Sequence, residues 1–189
     1  RLTWTSGSLM ALKIIPWWWY NAMNGFVLHK SIILNNYYFS VFQVIIMEMK
    51  THGLKLEIGI KAPDFSLVGI DDRKHSMDNF KNKDILCVVF MCNHCPYVQG
   101  SIERIKQIQS DYGIKGVQVV GINANDEINY PEDNFDKMIE YAKNRKYNFV
   151  YLRDEDQSVA NSYGAQCTPE CFVFDEHRRL RYHGRVDDS

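Results

Sequence analysis

The 189-residue sequence has little net charge, few cysteines and no cluster of basic residues. Its 22 basic and 23 acidic side chains nearly cancel, so nothing indicates a nucleic-acid or acidic-lipid partner. Five cysteines are too few, and too unevenly spaced, for the disulfide scaffold of a secreted protein of this length. We therefore expect a cytoplasmic protein with one globular domain, whose cysteines serve chemistry more than stability.

The first 46 residues lack acidic side chains, since the first is Glu48, and yet they contain all four tryptophans. Their apolar residues keep neither a helical nor an alternating period. No clean apolar segment with a small-residue cleavage site is present, which argues against a signal peptide. We expect residues 1–46 to be an atypical aromatic-rich leader, upstream of the true start and outside the fold, and residues 47–189 to form the domain.

The best candidate for a membrane span is SIILNNYYFSVFQVIIM, residues 31–47. It is slightly short for a bilayer, and two asparagines, a glutamine and a serine lie in or near its middle. We therefore expect no membrane anchor.

Strand-like and helix-like segments alternate from residue 57 onward. Continuous apolar runs predict buried strands at 85–91 and 117–123, and apolar residues spaced three and four apart predict a helix at 96–112. Later patterns predict a helix at 135–144, a strand at 149–152, a short helix at 158–163 and a hairpin formed by 171–175 and 180–185. The alternation indicates an α/β fold, in which helices pack on a sheet that contains parallel strand pairs.

Two cysteines stand at the junction of a predicted strand and a predicted helix, in the stretch CNHCP from Cys92 to Pro96. Proline suits a first helical turn, where its missing N–H would have no partner. Unpaired backbone N–H groups and the positive end of the helix dipole stabilise a thiolate there, and a thiolate attacks disulfides. With two residues between them, Cys95 can close a ring with Cys92 and release the product.

These residues resemble the thioredoxin-like superfamily, and within it the peroxiredoxin-like redoxin branch of the alkyl hydroperoxide reductase and thiol-specific antioxidant type. Three separated features carry the resemblance: APDFSL at 62–67, CNHCP at 92–96 and TPE at 168–170. The resemblance implies a central mixed sheet flanked by helices, with a peroxiredoxin-like N-terminal extension. It also implies that Thr168 and a cis Pro169 lie against the active cysteines and contact the substrate.

The resemblance further implies an oxidoreductase that cycles between a Cys92–Cys95 disulfide and the dithiol without a metal or cofactor. Its partners would be disulfide-containing proteins or small thiols, with thioredoxin or glutathione as the reductant. We expect Cys92 to be the more exposed, attacking sulfur and Cys95 to be the shielded, resolving one. The superfamily fold closes with a helix on the last strand, and we expect that helix to be missing because the chain stops at Ser189.

The sequence departs from both groups of relatives at named positions. Peroxiredoxins carry a proline seven residues and a threonine three residues before their peroxidatic cysteine. If Cys95 took that role, Val88 and Cys92 would stand there, which argues against a peroxidase. Thioredoxins usually keep a buried acid six residues before the first cysteine, where this chain has Leu86. Proton transfer would then use His94 or water.

Two other classes of function stay open. One is a thiol-dependent peroxidase that uses the same cysteines. The other is a metal-binding module, in which Cys92 and Cys95 form half of a zinc site that Cys167 and Cys171 complete.

Several single residues also have two interpretations. Protonated His94 would stabilise the Cys92 thiolate and raise the reduction potential, as in protein disulfide isomerases, or it is an exposed polar residue without effect. Cys167 is either a third thiol near Cys92 or a small buried residue. Cys87 is predicted to be a small core residue. A solvated acidic patch is expected in the loop that contains Asp126, Glu127, Glu132 and Asp133.

Overall fold

The computed structural model describes residues 56–186. The predicted leader, the candidate membrane span and the boundary at residue 47 lie outside the described residues, as does the predicted loss of a closing helix. The described elements follow the chain in this order: β1 Ser66–Gly69, β2 Lys74–Ser76, β3 Ile85–Phe90, α1 Pro96–Tyr112, β4 Val117–Asn123, α2 Phe135–Asn144, β5 Val150–Arg153, α3 Ser158–Tyr163, β6 Glu170–Phe174 and β7 Leu180–Gly184.

One seven-stranded sheet organises the described residues, in the order β2-β1-β5-β4-β3-β6-β7. The three central strands β3, β4 and β5 are parallel, and the outer strands pair with them and with each other in antiparallel fashion. This topology confirms the predicted α/β class with a central mixed sheet. Strand β3 lies between β4 and β6, and it delivers the CNHCP stretch at its carboxyl end.

Strand β3 is apolar throughout because helices or loops cover both of its faces. Leu86, Val88 and Phe90 enter the core on one side of the sheet. Val89 and Met91 enter the core on the other side, together with Cys87 and the buried face of α1. Each such side chain stabilises the fold by roughly 1.5–3 kcal/mol on burial, so the strand is anchored from both faces.

Helix α1 begins at Pro96 as predicted, and Val98, Ile102 and Ile105 form its buried stripe. After its last turn the chain reverses through Gly116, whose φ of 87° is a left-handed conformation that glycine adopts without strain. Among the described residues, none of the helices combines the length and apolar content needed to cross a bilayer.

The hairpin of β1 and β2 is not predicted by the sequence patterns, which show only turn signals there. Strand β1 pairs antiparallel with both β2 and β5 and so extends the sheet at that edge. Strand β2 forms the edge of the sheet, and the side chains of β1 beside it are mostly exposed or half-buried.

Candidate active site

The CNHCP stretch forms the connection between β3 and α1. Cys95 is the N-cap residue of α1, with extended backbone angles, and its carbonyl accepts a hydrogen bond from the N–H of Gln99. Asn93 anchors this connection through two hydrogen bonds. Its Oδ1 atom accepts from the Tyr151 hydroxyl at 3.1 Å, and its Nδ2 atom donates to the Glu132 carbonyl at 2.7 Å. The loop geometry is therefore set by contacts with two distant segments of the chain.

Both sulfurs of the stretch contact one residue, Thr168. The Cys92 Sγ atom lies 3.3 Å from the Thr168 hydroxyl oxygen, and the Cys95 Sγ atom donates to the Thr168 carbonyl at 3.3 Å. The peptide bond between Thr168 and Pro169 is cis, and it precedes β6. Neither Cys92 nor Cys95 is joined to another cysteine. The structure thus places Thr168 and Pro169 beside the two cysteines.

The exposure of the two sulfur residues is the reverse of the predicted order. Cys92 is only 1% exposed, because β3, α1 and the loop before β6 surround it. Cys95, at the helix start, is only half-buried. The expectation that Cys92 is the more accessible residue is therefore wrong for the dithiol state.

Burial also determines the acidity of Cys92. It raises the pKa of the Cys92 thiol to about 11, and the charge of Asp133 adds to the rise, while the Thr168 hydroxyl opposes it. The helix dipole was expected to favour a thiolate at this sulfur. At Cys92 burial opposes that effect, and the residue precedes the N-cap by three positions.

Asp133 is fully buried beneath the CNHCP stretch. The prediction that it belongs to a solvated acidic patch is therefore wrong. Its Oδ1 atom accepts from the backbone N–H of Asn93 at 2.5 Å and from Asn123 Nδ2 at 3.3 Å. Its Oδ2 atom accepts from Asn125 Nδ2 at 2.9 Å. These hydrogen-bond donors explain how a carboxylate is accommodated away from water. The sequence patterns did not predict a buried role for Asp133.

His94 is the remaining partner of that carboxylate. Its Nδ1 atom lies 2.5 Å from Asp133 Oδ2, and its ring stacks on Tyr130 with centroids 4.5 Å apart. The imidazole is one-third exposed, so it joins the buried acid to solvent. These two contacts hold His94 in place. The interpretation of His94 as an exposed polar residue without effect does not account for them. The effect of His94 on the reduction potential stays a prediction.

The structure brings together a different set of metal-ligating side chains from the one predicted. Cys92, His94 and Asp133 each offer an atom within 4.8 Å of the other two, whereas no such group among residues 56–186 includes Cys167 or Cys171. This arrangement does not support the alternative in which Cys92, Cys95, Cys167 and Cys171 form a zinc site. The Asp133 carboxylate and His94 Nδ1 are already used in hydrogen bonds, so a metal would have to displace them.

Cys167 is exposed, which overturns the interpretation of a small buried residue. Its backbone N–H donates to Glu170 Oε2 at 3.3 Å, and this bond helps fix the loop that carries Thr168. A cavity of about 290 Å³ borders the same loop, and its walls come from Tyr97, Ser101, Cys167, Thr168, Pro169, Arg185 and Val186. The predicted contact of Cys167 with Cys92 stays a prediction.

The sheet order and the dithiol before a helix-opening proline define a thioredoxin-like protein. Residues 57–189 match the family model Redoxin, so the chain belongs to the Redoxin family. The predicted redoxin branch of the thioredoxin-like superfamily is confirmed.

The chain is similar to curated proteins of two kinds. The chain is 22% identical over 131 residues to the thiol-disulfide oxidoreductase ResA of Geobacillus thermodenitrificans, covering 69% of this chain and 71% of that protein. It is 27% identical over 111 residues to a putative peroxiredoxin bcp of Helicobacter pylori, covering 59% of this chain and 68% of that protein. One relative is named a thiol-disulfide oxidoreductase and the other a putative peroxiredoxin. The predicted class, an oxidoreductase that acts on thiols and disulfides, is confirmed.

Two solved structures share a higher identity with this chain. A hypothetical protein from Sinorhizobium meliloti 1021 is 38% identical, with a TM-score of 0.70 over 72% of this chain and 74% of that one. An uncharacterized conserved protein from Geobacillus kaustophilus is also 38% identical, with a TM-score of 0.69 over 70% of this chain and 71% of that one.

Proposed function

We propose that this protein exchanges disulfides by cycling between a Cys92–Cys95 disulfide and the dithiol. One observation carries the proposal: both sulfurs lie 3.3 Å from atoms of Thr168, directly before the cis proline. A common contact residue holds the two thiols on the same side of the loop. Two intervening residues then permit the ring closure that the chemistry needs.

The exposure of the sulfurs supports an order of attack that begins with Cys95. Its thiolate, at the N-cap of α1, attacks one sulfur of a target disulfide, forms a mixed disulfide and expels the other target sulfur as a thiolate. Cys92 then loses its proton and attacks Cys95 Sγ. That step closes the Cys92–Cys95 disulfide and releases the second target thiolate, and a dithiol reductant reverses both steps.

The second step needs a proton acceptor, because the Cys92 thiol is buried and its pKa is raised to about 11. His94 and Asp133 are hydrogen-bonded to each other and present atoms within 4.8 Å of Cys92 Sγ. Such a separation permits proton transfer through one bridging water. In this proposal the hydrogen-bonded pair of His94 and Asp133 accepts, as a unit, the proton that thioredoxins pass to a buried acid at the position of Leu86.

The 290 Å³ cavity beside Pro169 lies next to the first turns of α1. This position supports a thiol or disulfide substrate that binds there, close to the two cysteines. Tyr97 is largely exposed at its rim and offers an aromatic surface to a peptide segment. We infer disulfide-containing proteins or small thiols as substrates, and thioredoxin or glutathione as the reductant, in the cytoplasm. The near-neutral charge of the chain favours these over nucleic acids.

Thiol titration of the full-length protein before and after mild oxidation with glutathione disulfide tests the proposal. We expect the loss of two thiols, with mass mapping that links Cys92 to Cys95. Reduction by dithiothreitol should restore both. Oxidation that produces only glutathione adducts, with no link between these two cysteines, would contradict a disulfide-cycling function.

A thiol-dependent peroxidase is the second candidate. Cys95 is half-buried and would be the cysteine that peroxide reaches first, and this observation favours it. Val88 and Cys92 stand where peroxiredoxins have their proline and threonine, so the groups that activate a bound peroxide are absent. Consumption of hydroperoxide with dithiothreitol as reductant distinguishes the two functions, and we expect it to be no faster than with free cysteine.

A further inference from the structure

Two cysteines outside the redox site lie against each other inside the sheet. The Sγ atoms of Cys87 and Cys171 are 3.4 Å apart, and both residues are only 7% exposed. Cys87 pairs with Val173, and Cys171 pairs with Val89, so the two thiols are diagonal neighbours on antiparallel strands. Both point into the core on the side of α1.

The two strands that carry these thiols also deliver the two sides of the redox site. Strand β3 contains Cys87 and runs directly into Cys92. Strand β6 contains Cys171 and begins at Glu170, immediately after Pro169. A covalent link between the strands would therefore join the segment that bears the active cysteines to the segment that bears their contact residue, Thr168.

We propose that Cys87 and Cys171 are a second dithiol, which oxidises to a disulfide across β3 and β6. The sulfurs already touch at 3.4 Å, and they need to approach to the covalent separation of about 2.05 Å. Diagonal neighbours on antiparallel strands usually lie about 7–8 Å apart, so the bond also needs the two strands to shift towards each other. With a diazene oxidant such as diamide, each thiol gives up its hydrogen. The N=N bond becomes the N–H groups of a hydrazine, and one S–S bond forms.

This pair should oxidise more slowly than Cys92 and Cys95. The attacking species is a thiolate, and both the thiol of Cys87 and burial raise the pKa of Cys171. Oxidant must also reach two residues that are nearly sealed from solvent, whereas Cys95 is half-buried. We therefore expect the Cys87–Cys171 disulfide to form only under sustained oxidation, after the Cys92–Cys95 disulfide has formed.

The test uses the full-length chain with the Cys92→Ser, Cys95→Ser and Cys167→Ser substitutions, which leave Cys87 and Cys171 as its thiols. After prolonged treatment with diamide, we expect both thiols to be lost on titration in denaturant. A peptide that links Cys87 to Cys171 should appear on mass mapping, and the urea midpoint of unfolding should rise. Dithiothreitol should return all three readouts to their starting values.

The matched control adds Cys171→Ala to that variant and should show neither the linked peptide nor the higher urea midpoint. If the serine variant does not fold, as circular dichroism will show, the same mass mapping is done on the unsubstituted protein after extended oxidation. In either protein, the proposal would be overturned if Cys87 and Cys171 both remained titratable thiols after prolonged oxidation. Links of Cys87 or Cys171 to another molecule, without the internal link, would overturn it as well.

Discussion

Asp133 Oδ2 lies 2.5 Å from His94 Nδ1, although the two residues are 39 positions apart in the chain. The carboxylate is fully buried, whereas the imidazole reaches solvent. This pair provides an acid and a base beside Cys92 in a protein that has leucine where thioredoxins carry their buried acid. In the proposed mechanism, the segment after β4 thus supplies the buried carboxylate that β3 lacks.

The first prediction concerns this carboxylate. Asp133→Asn should lower the rate of disulfide exchange by about 10²-fold near neutral pH, because the imidazole loses the partner that positions it as a base. The loss should shrink as the pH rises, since Cys92 then ionises without help. Stopped-flow exchange with glutathione disulfide between pH 6 and pH 10 measures both effects.

The matched control for that prediction is Asp136→Asn, which makes the same chemical change at an exposed residue in the first turn of α2. It should leave the rate and its pH profile unchanged. Chemical denaturation of Asp133→Asn should show a folded protein at the assay temperature. A rate loss of the same size at every pH would indicate a structural effect and would contradict the proposed proton transfer.

The second prediction assigns the attacking sulfur. Cys92→Ser should accumulate stable mixed disulfides on Cys95, since the more accessible thiol remains and the resolving one is absent. Cys95→Ser should accumulate at least about tenfold fewer, because Cys92 is buried and protonated at neutral pH. Non-reducing gels and mass mapping after reaction with a disulfide-containing protein count the adducts. Predominant trapping on Cys92 would reverse the assignment.

The third prediction follows from the raised pKa of the Cys92 thiol, about 11 against a reference value of 9.0. The unfolded thiol ionises first as the pH rises, so the stabilisation is fully present below pH 9 and is lost between pH 9 and pH 11. The loss should approach roughly 3 kcal/mol, from 1.36 kcal/mol per pKa unit. Urea unfolding at pH 8 and pH 10.5, under reducing conditions, should show a smaller pH dependence for Cys92→Ala than for the unsubstituted protein.

Local patterns were sufficient to predict much of the fold. The residues of α1 and β4 are those that the sequence predicts, because α1 combines a helix-opening proline with a regular apolar stripe and β4 is a continuous apolar run. The hairpin of β1 and β2 was missed, since strands of four and three residues with half-exposed side chains leave no clear alternation.

The chemistry at the site depends on contacts that no local pattern encodes. Asp133 belongs to an acidic stretch that is typical of solvated loops, and only the parallel pairing of β4 with β3 places the residues after β4 beside CNHCP. That pairing was within reach of the sequence, because the carboxyl ends of neighbouring parallel strands meet at one edge of a sheet. The burial of Cys92 could not be predicted from the sequence in this way, because it also depends on Thr168, which is 76 positions away.

The fourth prediction tests the hypothesis that His94 makes the pair more oxidising than that of thioredoxin. Substitution His94→Pro removes the imidazole, which when protonated favours a thiolate at Cys95 and so the reduced form. The reduction potential should fall by about 30 mV, a tenfold change in the equilibrium with glutathione. Equilibration of the purified protein in glutathione buffers, with quantification of the Cys92–Cys95 disulfide, measures the shift. An unchanged potential would show that the contacts of His94 with Asp133 and Tyr130 serve only the loop structure.

The fifth prediction concerns the hydroxyl of Thr168. Substitution Thr168→Val keeps the shape of the side chain and the backbone carbonyl that accepts from Cys95, but it removes the hydroxyl 3.3 Å from Cys92 Sγ. Because that hydroxyl lowers the pKa of the Cys92 thiol, the pKa should rise further in the variant, and closure of the Cys92–Cys95 disulfide should slow several-fold. Thr168→Ser retains a hydroxyl and should recover most of the rate. The pH dependence of alkylation at Cys92, followed by mass spectrometry, measures the pKa, and identical profiles for the valine and serine variants would show that the hydroxyl has no part in the reaction.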